Sequence, residues 1–212
     1  MDRHSILRPG NLLMVQERER LLARLLSASG LGPLEELRAF EAGCSTAYNL
    51  RLLVQWGCRP EHLAGIDLDP DAVAYAHSRS PEIRIHEGQA QAIAEPDGAF
   101  DLTLAFTLLS SAGGPEPARA IAAELVRITR VGGLVLVYDM RRRSPNPSVR
   151  RVSRADIQSW FPRCPIRSRS LTLAPPLARA AGSRAPWAYG PLAALPFLRT
   201  HALHMITVPS SG

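Results

Sequence analysis

Glu41 stands within the run Phe40-Glu41-Ala42-Gly43-Cys44-Ser45-Thr46-Ala47, and 26 residues further on Asp67 closes a second apolar run, Gly65-Ile66-Asp67-Leu68-Asp69. A strand ending in an acidic residue, a tight turn of small residues, a helix, and a second strand ending in Asp form the front half of a nucleoside-binding α/β unit. The rhythm continues beyond it. Strands are expected at 37–41, 63–67, 83–86, 101–106 and 134–138. Helices fall between them: Thr46 to Trp56 with Gly57 as its stop, a segment opened by Asp69-Pro70 as N-cap and N1 proline, and one opened by Pro115 and Pro117. In the last of these, Ile121, Leu125 and Ile128 recur at i, i+4 and i+7. Such alternation predicts a mostly parallel sheet covered by helices on both faces.

The flanks read differently. Asn11 is expected to cap a helix to about residue 26 that places Leu12, Val15, Leu22, Leu25 and Leu26 on one face. Arg130-Val131-Gly132-Gly133 reads as a Gly-Gly turn into the fifth strand, and Ser153 with Asp156 as a capping box for a short helix to Trp160. Strands are expected at about 168–173 and 203–208, on either side of a stretch rich in Pro, Ala and Gly.

Charge selects the ligand. A pyrophosphate seated on the turn at Gly43 would be repelled by a carboxylate two residues earlier. Glu41 occupies that place, which suits S-adenosylmethionine: it carries an ammonium and a sulfonium and no phosphate. Asp67 can accept hydrogen bonds from both ribose hydroxyls.

All 25 basic residues are Arg, so their number reflects coding bias as much as nucleic-acid affinity; their distribution carries more information. Residues 1–139 hold 13 Arg against 18 acids, whereas residues 140–212 hold 12 Arg against one, Asp156. The last third either presents a solvated face or meets something anionic. No apolar run is long enough to span a membrane, and the opening Met1-Asp2-Arg3-His4 lacks the apolar region of a signal peptide, so cytoplasmic residence is expected. Cys44, Cys58 and Cys164 are odd in number and lack C-x-x-C spacing, which supports neither a disulfide frame nor a metal site.

The chain resembles the class I S-adenosylmethionine-dependent methyltransferases. Glu41-Ala42-Gly43-Cys44-Ser45, Gly65-Ile66-Asp67, Asp97-Gly98-Ala99-Phe100-Asp101 and Arg130-Val131-Gly132-Gly133 carry the resemblance, over roughly residues 37–139. It implies a Rossmann-like, seven-stranded sheet with the last strand antiparallel, in a single domain over 1–212, with a helix in 1–30 and acceptor-side elements in 140–200. It implies S-adenosylmethionine as cofactor, S-adenosylhomocysteine as product, and a cofactor set of Glu41, Gly43, Cys44, Ser45, Asp67, Leu68, Gln89, Ala90 and Phe106, with the adenine packed on Leu68. Two departures stand out. Ser45 and Ala47 replace glycines of the family pattern, and Gln89 replaces an Asp, whose acceptor role toward the adenine amino group a Gln carbonyl can keep.

Methyl transfer is an in-line displacement, so orientation dominates, and a hydroxyl acceptor gains from a base at the carboxyl ends of the strands. Asp139 and His201 are the catalytic candidates. Each has a plainer alternative, Asp139 as an ion-pair partner and His201 as a packed structural residue. Arg141, Arg143, Arg150, Trp187 and Tyr189 are the candidates for acceptor contact. Ser144-Pro145-Asn146-Pro147 imitates an amine-methylating signature but stands after the fifth strand, whereas the fourth is followed by Ala105-Phe106-Thr107-Leu108, so exocyclic amine chemistry is disfavoured. Magnesium-dependent catechol chemistry is disfavoured too, for want of acids there. The expectation is O-methylation of a small-molecule, sugar or natural-product hydroxyl on an acceptor bearing phosphate or carboxylate. The alternatives are an RNA methyltransferase and a non-catalytic cofactor-binding protein.

Overall fold

Strand β1, Ala39–Ala42, is buried at all four positions, and this explains its unbroken apolar run: helices cover both of its faces. The computed structural model describes residues 5–144 and 146–210; Met1-Asp2-Arg3-His4 and Pro145 of the proline-rich run lie outside the described residues. After β1 come α2 (Tyr48–Gln55), β2 (Leu63–Asp67), α3 (Pro70–Arg79), β3 (Arg84–Glu87), β4 (Phe100–Phe106), α4 (Pro115–Ile128) and β5 (Thr129–Met140). Helix α1 (Pro9–Ser27) precedes them; α5 (Arg154–Trp160), β6 (Ile166–Leu173), α6 (Pro175–Arg184), α7 (Tyr189–Ala194) and β7 (Arg199–Thr207) follow. The seven strands are ordered β3-β2-β1-β4-β5-β7-β6, and the pairs β2/β3, β1/β2, β1/β4 and β4/β5 are parallel. Val208 exchanges hydrogen bonds with Gly132 and Gly133, so the end of β7 meets the beginning of β5 and the last strand runs against it. The doubly wound, Rossmann-like sheet expected from the sequence is present.

By their contacts the residues form two compact units, one of residues up to Gly30 with Arg169–Leu203, the other of Leu31–Ser168 with residues from His204 on. The larger unit is built on β1 to β5. Its core joins Phe40, Ile66, Phe100 and Val137 of the sheet to Ile121, Leu125 and Ile128 of α4 and to Ile157 and Trp160 of α5. The expected i, i+4, i+7 stripe of α4 is thus buried. Asp101 fastens the sheet at its lower edge, accepting from the Arg38 N–H at 2.9 Å and from Arg130 Nε at 2.5 Å. In the smaller unit, Leu173, Ala178, Tyr189 and Ala193 form a separate core to which Leu13 and Met14 of α1 contribute.

Two local expectations are corrected. Asn11 is not the cap of α1: the helix opens at Pro9 behind Arg8, and Asn11 sits in the first turn, where its side-chain amide donates to the Ser5 carbonyl at 2.9 Å. The inward face shifts with it, so that Leu12 is exposed while Leu13 and Met14 pack. The Gly132-Gly133 segment is no turn but a bulge inside the twelve-residue β5, where Phe100 pairs with Thr129 and Leu102 already with Leu134. The Pro-, Ala- and Gly-rich stretch is helical, because Pro175 falls in the first turn of α6, where a missing N–H costs nothing.

Candidate functional site

The turn from β1 into α2 is made by residues that L-side chains seldom allow. Gly43, Ser45 and Ala47 have φ of +66°, +47° and +58°. The two positions where family members carry glycine are therefore left-handed here as well, and a serine and an alanine occupy them under strain. Ala47 in this conformation delays α2 to Tyr48, two residues after the expected start. A Cβ on Gly43 would lie 2.9 Å from Leu108 Cδ1, and one on Gly65 would lie 3.0 Å from Cys44, so both glycines let the turn settle against its neighbours. The Gly43 and Cys44 N–H groups donate to the Ile66 carbonyl at 2.8 and 3.0 Å, which ties the turn to β2.

Two carboxylates flank this turn. Glu41 is 2 % exposed, and its Oε1 accepts from Asn49 Nδ2 at 2.5 Å. Asp67 accepts from the Ser45 N–H at 2.6 Å and, through its other oxygen, from the Asp69 N–H at 3.0 Å. Each of these oxygens keeps a second lone pair for an incoming hydroxyl. The Cys44 thiol reports the local field: burial pushes its pKa far up, and the charges of Glu41 and of Asp67 push it further. Cys44 is therefore a neutral filler in a negative turn, a setting that fits a cationic, phosphate-free nucleoside.

The remaining cofactor candidates surround the same strand ends. Leu68, just beyond β2, is 63 % exposed, an apolar surface with a vacant face. Gln89 is exposed and Ala90 buried in the turn after β3. Phe106 ends β4 with its ring 5.5 Å from that of Tyr138, and Thr107 turns the chain away at a φ of +56°. Asn49 was not among the sequence candidates, although an amide on the inward face of a helix, eight residues after a strand-end acid, was the available signal.

Asp139, Arg141, Arg143 and Arg150 lie at or just beyond the end of β5. Asp139 is 1 % exposed, and its oxygens accept from the Ser110 N–H at 2.9 Å and the Met140 N–H at 2.8 Å. Burial raises its pKa, and the hydrogen bonds from Ser110 and Met140 offset only part of that rise. It is a staple between β5 and the 3₁₀ turn Leu109–Ser111, not the ion-pair partner weighed from the sequence. Arg150 is engaged elsewhere as well, lying over the Trp160 ring at 5.6 Å and 3.6 Å from Asp156. Arg142 and Arg151, of the same segment, join Arg141 and Arg143 in lining an open cleft of about 350 Å³.

His201, Trp187 and Tyr189 belong to the smaller unit. Burial first, and the Arg18 charge second, lower the His201 pKa to about 4. Thr200 Oγ1 donates to the Thr172 carbonyl at 3.3 Å and lies within hydrogen-bond distance of His201 Nδ1, at 2.9 Å. Tyr189 is buried, with its hydroxyl donating to Glu17 at 2.7 Å, which makes it a core residue; Trp187 is 80 % exposed.

A doubly wound sheet with Glu41 and Asp67 at the ends of its first two strands, around a left-handed turn, is suited to a nucleoside, and comparison with known proteins points the same way. A family model described as "Methyltransferase domain" matches residues 40–137. Residues 40–137, just under half of the chain, are thus similar to that family's domain. It is 30% identical over 113 residues to the malonyl-[acyl-carrier protein] O-methyltransferase of Serratia marcescens, a stretch covering 53% of this chain and 41% of that protein. The chain thus spans well under half the length of that relative. Among solved structures, the YcgJ protein of Bacillus subtilis superposes with a TM-score of 0.65 at 15% identity, over 91% of this chain and 99% of that one. Magnesium protoporphyrin IX methyltransferase of Synechocystis PCC 6803, crystallised with S-adenosylhomocysteine, gives 0.63 at 14% identity, over 91% and 82%. At those identities the likeness is one of fold. No helix among the described residues is long and apolar enough to cross a membrane.

Proposed function

We propose that this chain transfers the methyl group of S-adenosylmethionine to an oxygen of a small anionic acceptor, a sugar or natural-product hydroxyl among the candidates. The observation that carries the reading is the negative turn, with Glu41 and Asp67 both acting on the Cys44 thiol. In that reading Asn49 aims Glu41 at the ammonium of the donor, Asp67 takes the ribose hydroxyls, and Leu68, Ala90 and Phe106 form the adenine slot with Gln89 as polar partner. The donor supplies an electrophilic methyl group on a sulfonium. What the protein adds is alignment of the acceptor oxygen with the S–CH₃ bond and exclusion of water.

Base catalysis has a small part in this proposal. Asp139 spends its carboxylate on backbone N–H groups, and His201, with a pKa of about 4, is neutral at pH 7 but a weak proton acceptor. Oxygen as the methylated atom is supported by the Serratia marcescens relative, named an O-methyltransferase, and an anionic acceptor by the arginines beyond β5. The deciding experiment incubates the protein with methyl-labelled S-adenosylmethionine and with separate small-molecule and RNA fractions of cell extract. Label is expected in small molecules retained on an anion exchanger. Label confined to RNA would move the assignment to an RNA methyltransferase, and no transfer despite measurable S-adenosylhomocysteine binding would leave a binding protein.

A further inference from the structure

The segment 140–155 contains Arg141, Arg142, Arg143, Arg150, Arg151 and Arg154 and no acid. Its flanking residues are tied together. The Val152 N–H donates to the Met140 carbonyl at 2.8 Å, which draws both ends of the loop together at its neck, and the Arg150 N–H donates to the Ser110 carbonyl at 2.9 Å, which pins the neck to the turn after β4. Asp139 holds the same Ser110 from the β5 side. Closure of the neck brings Arg141, Arg142 and Arg143 from one strand of the loop opposite Arg151 from the other. Among the described residues these four line the cleft, whose volume of about 350 Å³ falls in the range of small-molecule sites, about 300–1,000 Å³.

Four guanidinium groups around one concavity create a positive field that favours an anion. Of the nearby carboxylates, Asp139 is buried on backbone N–H groups, and Asp156 is held by Ser153 and feels the charges of both Arg150 and Arg151. Position matters equally. Because β1, β2, β4 and β5 are parallel, Met140 lies on the same edge of the sheet as Glu41 and Asp67, the edge where open α/β sheets bind ligands.

We propose that the Arg141, Arg142, Arg143 and Arg151 cleft is a phosphate site, and, resting on the methyltransferase reading above, that it holds the phosphate or diphosphate group of the methyl acceptor. Planar guanidinium forks match phosphate oxygens in pairs, and a tetrahedral group carrying two or more charges can engage several forks at once, which a single carboxylate cannot.

The test titrates inorganic pyrophosphate into the full chain by calorimetry at low ionic strength, with acetate and a single-stranded RNA of random sequence as separate arms. Saturable one-to-one pyrophosphate binding is expected, at least tenfold tighter than acetate. The double variant Arg142→Gln/Arg151→Gln should lose at least tenfold, and Arg142→Lys/Arg151→Lys, which keeps the charge and loses the forks, should fall between. Failure of the wild-type chain to bind pyrophosphate overturns the site, as does binding that the glutamine variant leaves unchanged. RNA binding that pyrophosphate does not compete away would also overturn it, and would show a backbone-tracking surface instead. S-adenosylhomocysteine is titrated into the same proteins. Its retained affinity in the variants shows an intact fold, whereas its failure to bind the wild type removes the methyl-donor reading without touching the pyrophosphate result.

Discussion

Ser45 shows how a single side chain can record a compromise in the cofactor turn. It is exposed and left-handed, so its Cβ adds strain without adding burial. Ser45→Gly should stabilise the chain by about 0.5–1 kcal/mol, the relief of left-handed strain less the entropy that glycine gains when unfolded, and a denaturant midpoint shifted upward would show it. Gly43→Ala is the opposite case, since its Cβ meets Leu108 at 2.9 Å. Asn49 tests the acid next door. Asn49→Leu withdraws the 2.5 Å donor from a carboxylate shut away from water, at a cost of about 1–3 kcal/mol, and affinity for S-adenosylhomocysteine should fall at least about tenfold. Unchanged affinity in that variant, measured by calorimetry, would detach Glu41 from ligand binding.

The segment after β3 is held by one arginine in the fourth helix. Arg127 of α4 donates to both oxygens of Glu124, to Asp97 and to the carbonyls of Ile93 and Glu95, all between 2.7 and 2.8 Å, and Glu124 in turn accepts from the Ile93 N–H at 2.8 Å. This clamp fixes the loop that follows Gln89 and Ala90. Arg127→Leu should cost about 2–3 kcal/mol and speed hydrogen exchange at the Ile93 amide while the amides of β4 keep their protection. Legibility in the sequence follows the range of the signal. The bounds of β2, the Asp69-Pro70 helix start and the Ser153–Asp156 capping box were readable, because each depends on residues within three or four positions. The carboxylates at Glu41 and Asp67 were readable for the same reason, as ends of short apolar strands. Asn49 was not, since its partner lies across a turn whose left-handed geometry no propensity encodes. Which of the arginines after β5 line the cleft was not readable, because it depends on the closing bond from Val152 to Met140 and not on their order in the chain.

Taken as a whole, the molecule gains its response to acid from two buried histidines near its C-terminus. Burial, aided by Arg18 and Arg154 respectively, lowers His201 and His204 to about 4 from an ordinary value near 6.5. In the unfolded chain both imidazoles take up a proton as pH falls through 6.5, whereas the folded chain refuses it until about pH 4. Between those limits proton binding therefore favours unfolding, so the stability the two neutral rings contribute is complete above pH 6.5 and is lost progressively toward pH 4, on the order of 3 kcal/mol for each. Asp139 acts in the other direction, since its raised pKa favours the folded form as the medium turns acidic. His204 is the cleaner probe, being 4 % exposed with its Nδ1 2.8 Å from Ser168 Oγ, a contact that glutamine can replace in kind. Urea unfolding at pH 7.0, 6.0, 5.0 and 4.5 should show the wild-type midpoint falling steadily, and His204→Gln should flatten the fall by roughly half. Parallel curves for the two proteins would mean that the folded chain accommodates the His204 proton, and that its acid sensitivity originates in carboxylates such as Glu124 and Asp156, whose lowered pKa values act with the same sign but at lower pH.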